Sequence, residues 1–414
     1  MAQLKGNLIF GQSGGPTSVI NASAAGVFLE ALDNSEVIEK VYGAKHGIVG
    51  ILNEEFYDIN QEDPAELELL KYTPSSILGS VRYKLADPAD DDTDYKRLLE
   101  VFKKYNIRYF FYNGGNDSMD TCNKISKYMQ ESGWEMRVMG VPKTIDNDLY
   151  GTDHCPGFAS AAKYLATSTM EVYMDATVYN TNQITILEVM GRNAGWLTAA
   201  TSLANMKGFG PDLIYLPELP LDLDKLVDDV QKIFDEKGKV IIAISEGVKT
   251  TDGKFLPELV GEVSVDAFGH KQMGGTGDVL ADYLKDRFDT KIRAIEFSLL
   301  QRCAAHLASK RDIEEAYNAG ALAVRKAIDG MTDHMVGLKR AEGDDYKCEY
   351  IMIPLEKVAN TEKKVPREWI NEEGNQILPP FYDYCLPLIQ GEPEHPKEDG
   401  LPRFAHLKKV LVEK

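Results

Sequence analysis

The sequence predicts an α/β protein built on parallel sheets with helices on both faces. Three observations carry this. Short apolar runs alternate regularly with longer amphipathic segments along most of the chain. Two of the runs lead directly into Gly-Gly turns that open helices, at Ser13–Thr17 and at Asn113–Ser118. The charged residues that interrupt the pattern (Asp117, Lys143–Asp148, Arg192, Glu246 and Arg302) all fall just beyond strand ends, where open α/β sheets bind ligands.

Taken in order, Leu8–Gln12 reads as a strand, Ser18–Ala31 as a small-residue helix and Val37–Ala44 as a second strand. A mixed region follows that contains Ile77–Arg82, in which Arg82 trails a Gly-Ser turn. Asp87–Asp94 holds five Asp in eight positions and reads as a solvated loop feeding a helix over Lys96–Lys104. Arg108–Tyr112 is a strand, and the helix after it runs to about Gln130. Val138–Val141 is a buried strand that Pro142 ends. Further strands are expected at Gln183–Val189, Leu213–Leu216, Val240–Ser245, Ile292–Phe297 and Met335–Leu338. Helices are expected at Gly157–Asp175, Leu223–Lys237, Val279–Phe288 and Arg311–Ile328, with Lys271–Asp278 a Gly-rich turn before the third of these. From Lys339 onward the pattern loosens into a C-terminal extension.

Composition narrows the class. The chain has 414 residues, enough for two or three domains, with 43% hydrophobic and 27% charged side chains, as in an ordinary globular enzyme. A net charge of −19 disfavours nucleic acid and acidic membrane as partners, but not a small anion held by local Arg and Lys. The five cysteines are scattered, and neither CxxC nor a His/Cys ligand spacing occurs, so the spacing suggests neither disulfides nor zinc. With no apolar leader and no apolar run of 18 residues, a cytoplasmic location is expected.

The chemistry concentrates at Lys143-Thr144-Ile145-Asp146-Asn147-Asp148. One ammonium, one hydroxyl and two carboxylates beyond a strand are what the deprotonation of a hydroxyl requires, with a cation to steady developing charge. The same residues also suit an Asn/Asp-rich turn. Gly14-Gly15 and Gly114-Gly115 present backbone N–H groups near helix starts, as anion sites do, although unliganded βα turns carry glycines too. On these residues alone the chain is an α/β phosphate-handling enzyme, kinase or phosphatase.

The motifs SGGPTSVINA, GGNDS, PKTIDND, EVMGRNAGW, SEG and QRCAAHLASKRD, in this order and spacing, resemble the 6-phosphofructokinases across roughly residues 6–340. The resemblance implies two interleaved, doubly wound, Rossmann-like domains with the site in the cleft between them. It assigns 1–141 plus about 303–335 to the phosphoryl donor, 142–302 to the sugar phosphate, and 336–414 to a wrapping extension. Position by position, it implies that Asp146 is the base for the C1 hydroxyl of fructose 6-phosphate. Asp148 lies in the metal and phosphoryl region, and Thr144 contacts the transferred group. Met190, Gly191 and Arg192 grip the sugar and the transferring phosphoryl, and Glu246 hydrogen-bonds the sugar. Arg293 and Arg302 bind the 6-phosphate, one of them across a subunit interface. Gly14, Gly15 and Arg82 lie on the donor side, with Ser118 beside them.

Two positions speak to the donor. ATP-using members carry glycine where this chain has Asp117 and Lys143, and the pair found here is the pattern of pyrophosphate users. A carboxylate at 117 repels a nucleotide α-phosphate, and an ammonium at 143 neutralises a leaving phosphate. Pyrophosphate is therefore the expected donor, with an ATP-dependent enzyme or a non-catalytic regulatory subunit as alternatives. Mg²⁺ is the implied cofactor, with Asn116, Asp117 and Asp148 as candidate ligands; many members have Asp at the position of Asn116. Gln183 replaces an Arg common in the family, and Leu299 a sugar-contacting His or Tyr. Those two changes leave room for a longer sugar phosphate such as sedoheptulose 7-phosphate. A homodimer or homotetramer is expected.

Overall fold

The computed structural model describes residues 3–260, 275–343, 345–359 and 361–414. Lys271–Gly274 of the expected Gly-rich turn lie outside the described residues. In chain order the strands of the two larger sheets are β1 (Gly6–Gln12), β2 (Ile38–Ala44), β3 (Phe56–Asp58), β4 (Ile107–Gly114), β5 (Arg137–Pro142), β6 (Gln183–Val189), β7 (Leu213–Tyr215), β8 (Lys239–Ser245), β9 (Lys291–Glu296), β10 (His334–Arg340) and β11 (Cys348–Pro354).

The chain divides into two compact units. The first comprises 1–157, 308–362 and 391–414, and the second 158–307 and 363–390. The sequence reading placed crossovers near 141, 302 and 335, whereas the chain changes unit after 157, 307, 362 and 390. The TIDND turn thus belongs with the strand that precedes it, in the first unit. Residues 336–414 also divide: β10 and β11 lie in the first unit's sheet, while 363–390 go with the second.

In the first unit seven strands run in the order β11-β10-β5-β4-β1-β2-β3. Pairing is parallel from β2 through β10, and the two edge strands β3 and β11 are antiparallel. Interior strands are apolar on both faces because helices cover both. Leu8 and Phe10 enter one core with Phe28 and Val324, while Ile9 enters the other with Phe102 and Ile125. On one face the helices Ile20–Asp33 and Lys310–Ile328 approach until backbone meets backbone; a Cβ at Gly26 would stand 2.0 Å from the Tyr317 carbonyl oxygen.

The order reverses at β1 and β4. The connection from β1 leads outward to β2, and that from β4 leads the other way to β5. The loops that leave β1 and β4 diverge there, and the crevice between such loops is where doubly wound sheets hold ligands.

The second unit has four parallel strands in the order β7-β8-β6-β9, with Ile184, Ile186, Val240 and Ile242 in its core. The helices Phe158–Thr177, Leu223–Lys237 and Thr276–Lys285 belong to it. β9 is an edge strand, exposed along much of its length.

Candidate functional site

In the first unit the loops beyond β1, β4 and β5 lie side by side, because Gln12 pairs with Asn113 and Gly114 with Pro142. The turn after β1 places Gly14 at φ +74°, a left-handed conformation that suits glycine. It is pinned by Gly14 N–H donating to the Val81 carbonyl (3.1 Å) and Ser80 Oγ donating to the Gly14 carbonyl (2.6 Å). The connection holding Arg82 is thereby tied to this turn, with Arg82 itself exposed.

Lys143 crosses from the β5 loop to the β1 loop. Its backbone N–H donates to the Gly114 carbonyl (3.1 Å), and its Nζ donates to the Gly15 carbonyl (2.7 Å). The side chain is 3% exposed, so a buried ammonium sits against the Gly-Gly turn. Gly115 precedes the helix Asn116–Glu131, whose first turn carries Asp117 and buries Ser118. Asn116 Nδ2 donates to Asp148 Oδ2 (3.2 Å), while Asn116 Oδ1 is buried without a hydrogen-bond partner.

The TIDND turn is shaped from within. Asp146 N–H donates to Thr144 Oγ1 (3.1 Å), and Asn147 adopts φ +56° with its Oδ1 accepting from Cys155 N–H (2.9 Å). Asn147 is fully buried, whereas Asp146 and Asp148 on either side are half-exposed. The buried Asn thus acts as a peg that turns both carboxylates outward. Gly14, Gly15, Asn116, Asp117, Ser118, Lys143, Thr144, Asp146 and Asp148 all belong to these three neighbouring loops.

The second unit gathers another group beyond β6, β8 and β9. Glu246 Oε1 accepts from Gly191 N–H (3.2 Å), and Ser245 Oγ donates to the Gly191 carbonyl (2.5 Å). Gln301 Oε1 accepts from Met190 N–H (3.1 Å). Gly247 packs directly on the Arg192 backbone; a Cβ there would fall 1.9 Å from the Arg192 carbonyl oxygen. Met190, Gly191, Arg192 and Glu246 therefore form one knot. Leu299 and Arg302 follow β9 in the same segment as Gln301, Leu299 being exposed.

Arg293 stands apart from this knot. It lies in mid-strand on β9, exposed, 3.9 Å from Asp175, facing a cavity that Tyr164, Thr185 and Leu300 also line.

Sequence reasoning missed several supporting residues. Thr276 Oγ1 donates to the Glu246 carbonyl (3.1 Å) from the start of its helix, and Glu218 accepts from Gly195 N–H (2.8 Å). Glu188 is 3% exposed, and Oε2 accepts from Gly277 N–H (2.7 Å) while Oε1 has no partner. Burial, with Glu296 nearby, pushes its carboxyl up to about 7 against the pull of those backbone donors. Glu188 sits inside an apolar strand run, where no spacing rule marks it.

A doubly wound sheet with two glycine turns, a buried ammonium and a carboxylate turn at its switch point defines an α/β phosphate-handling protein. The phosphofructokinase family model matches residues 7–325, and the chain belongs to that family. It is 43% identical over 411 residues to a Halomonas elongata protein named pyrophosphate–fructose 6-phosphate 1-phosphotransferase, covering 99% of this chain and 97% of that one. A Xanthomonas campestris protein of the same name is 42% identical over 416 residues, covering 99% and 98%. Among solved structures, the pyrophosphate-dependent phosphofructokinase of Nitrosospira multiformis superposes with a TM-score of 0.90 at 40% identity, covering 99% of this chain and 98% of that one. Among the described residues no helix is long and apolar enough to cross a membrane.

Proposed function

We infer that this chain reversibly transfers a phosphoryl group from pyrophosphate to the C1 hydroxyl of fructose 6-phosphate, giving fructose 1,6-bisphosphate and phosphate. The observation that carries the donor reading is the Lys143 ammonium, buried against the Gly14-Gly15 turn with Asp117 in the adjoining helix turn. A fixed cation in a phosphate loop replaces the contacts that a nucleotide would bring. The full-length likeness to proteins named for this reaction supports the same reading.

In this scheme Asp146 takes the proton of the C1 hydroxyl as that oxygen attacks the terminal phosphorus of pyrophosphate. The bond to the bridging oxygen breaks, and the leaving phosphate is stabilised by Lys143, the N–H group of Gly15 in the turn that Gly14 shapes, and the start of the helix Asn116–Glu131. Thr144 orients the transferred group. Arg192 adds positive charge, Met190, Gly191, Glu246, Arg302 and Leu299 bind the sugar phosphate, and Arg293, which stands apart from them, serves the sugar phosphate of a neighbouring subunit. The donor set lies in the first unit and the sugar set in the second.

Magnesium fits the first unit. The Asp148 carboxylate and the orphaned Oδ1 of Asn116, whose Nδ2 contacts that carboxylate, are hard oxygen donors, and Asp117 is in the same turn as Asn116. When bound, Mg²⁺ supplies neutralisation of pyrophosphate charge. A homodimer or homotetramer is supported by the exposed apolar residues Met174, Val178, Tyr179, Leu299 and Leu300 together with the open edge of β9. All five cysteines are thiols outside any disulfide, which fits a cytoplasmic setting.

The test is a donor panel of pyrophosphate, ATP and ADP with fructose 6-phosphate, run in both directions. Pyrophosphate should support turnover both ways. In the Asp117→Gly/Lys143→Gly double variant, pyrophosphate use should fall by about a hundredfold or more. A parent enzyme that prefers ATP would overturn the donor assignment.

A further inference from the structure

Behind the TIDND turn, three side chains of different chemistry converge. His154 lies in the loop that follows the turn, Glu315 on the helix Lys310–Ile328, and Cys348 at the start of β11. The His154 ring is fully buried, Glu315 is 5% exposed and Cys348 is half-buried. Their ligand-capable atoms all lie within 4.8 Å of one another. We propose that His154, Glu315 and Cys348 form a binding site for a transition-metal dication of the zinc class.

The arrangement around the imidazole is that of a metal ligand. Asp153 Oδ1 accepts from His154 Nδ1 at 2.8 Å, which fixes the ring and directs Nε2 at the other two groups. A carboxylate behind a ligating histidine sets its tautomer and raises its basicity. Nε2 stands 2.7 Å from Glu315 Oε2, and the Tyr346 hydroxyl donates to Glu315 Oε1 at 2.7 Å while lying 3.4 Å from Nε2. Tyr346 therefore marks the fourth position, for its own oxygen or for a water it holds.

Distances agree with a small adjustment. Zinc bonds of about 2.0–2.3 Å in a tetrahedron hold ligand atoms roughly 3.3–3.7 Å apart. The His–Glu pair at 2.7 Å must open by roughly half an ångström to one ångström, and the thiol, within 4.8 Å of its partners, must close in by up to about 1.3 Å. Charge is conserved as well. A dication that binds a thiolate and a neutral imidazole displaces the thiol proton and the second imidazole proton, so two positive charges leave as two arrive.

Donor chemistry selects the metal. A nitrogen, a carboxylate oxygen and a sulfur suit zinc or cobalt, whereas Mg²⁺ and Ca²⁺ require oxygen ligands. The site would tie three separate segments of the first unit together: the loop at 154, the helix at 315 and the β10–β11 hairpin. Its ligands are 161 and 33 positions apart along the chain, so no spacing motif announces it.

The test uses the full-length protein, stripped with a chelator, desalted and reloaded with Zn²⁺ or Co²⁺ in excess Mg²⁺. The wild type should retain one zinc per chain through desalting. Its cobalt form should show a thiolate-to-cobalt charge-transfer band. Cys348→Ala should lose that band and bind zinc at least about tenfold more weakly. Zinc should raise the melting temperature of the wild type and not of Cys348→Ala. A wild type that retains no zinc, a cobalt spectrum without the thiolate band, or equal zinc affinity in the two proteins would overturn the proposal.

Discussion

Replacing Glu188 by Gln tests how the second unit carries a buried carboxyl at the end of β6, just before the Met190–Arg192 loop. The group is 3% exposed and pushed up to about 7 by burial, with Glu296 and Asp278 adding to the effect. In the unfolded chain it titrates near the ordinary value of 4.5. Between those values the native state keeps a proton that the unfolded chain has released, so stability falls as pH rises. Each tenfold change in proton affinity is worth about 1.4 kcal/mol, so the interval amounts to about 3 kcal/mol. The loss begins near pH 4.5 and is complete above about pH 7. A glutamine amide resembles the protonated acid: its oxygen can still accept from Gly277 N–H, and it cannot ionise. Urea titrations of both proteins from pH 5 to 8 should show the wild type losing about 2.5 kcal/mol more stability across that range than Glu188→Gln. Parallel curves across that range would refute the reasoning.

The remaining predictions concern one group of side chains in each unit. Asp146→Ser should lower kcat by about a hundredfold to ten-thousandfold while leaving the melting temperature nearly unchanged, since Asp146 is half-exposed and its loop is held by Thr144 and Asn147. Near-normal turnover in steady-state assays would remove it as the base. Gly247→Ala places a methyl 1.9 Å from the Arg192 carbonyl oxygen, where only backbone can yield. Overpacking of this kind costs about 1–3 kcal/mol, and the displaced Arg192 should raise KM for the sugar phosphate more than KM for the donor. Unchanged melting and KM values would show that the loop yields without strain.

The interior strands were legible because both faces of β1, β4, β5, β6 and β8 are covered, which leaves continuous apolar runs. The edges were not. β3 is three residues long and β11 is mostly half-exposed, beginning Cys-Glu-Tyr, so neither shows an uninterrupted run. Residues such as Lys143 and Asp146 stood out because they are charged and follow a strand. Gln301, Thr276 and Glu188 act by holding backbone atoms of segments remote in sequence, at separations of 111, 30 and 89 residues, and no local pattern encodes such contacts.

On the proposed assignment, the position of Lys143 accounts for how one charged residue would bear on donor choice. It follows β5, yet its ammonium ends on the turn after β1, two strands away. Reaching that carbonyl requires it to pass the end of β4, where Gly114 accepts from its backbone N–H. The side chain thus closes the floor of the crevice formed where the strand order reverses. Glycine at 143 would leave this floor open and uncharged, able to admit a larger group that brings its own contacts. With lysine, the floor carries a fixed positive charge that favours a compact anion. Asp117, on the first turn of the helix that borders the same crevice, adds the complementary repulsion against any phosphate placed further in. Selectivity on this account comes from one attraction and one repulsion acting on neighbouring points, so reversing either alone should weaken pyrophosphate use without creating a nucleotide site.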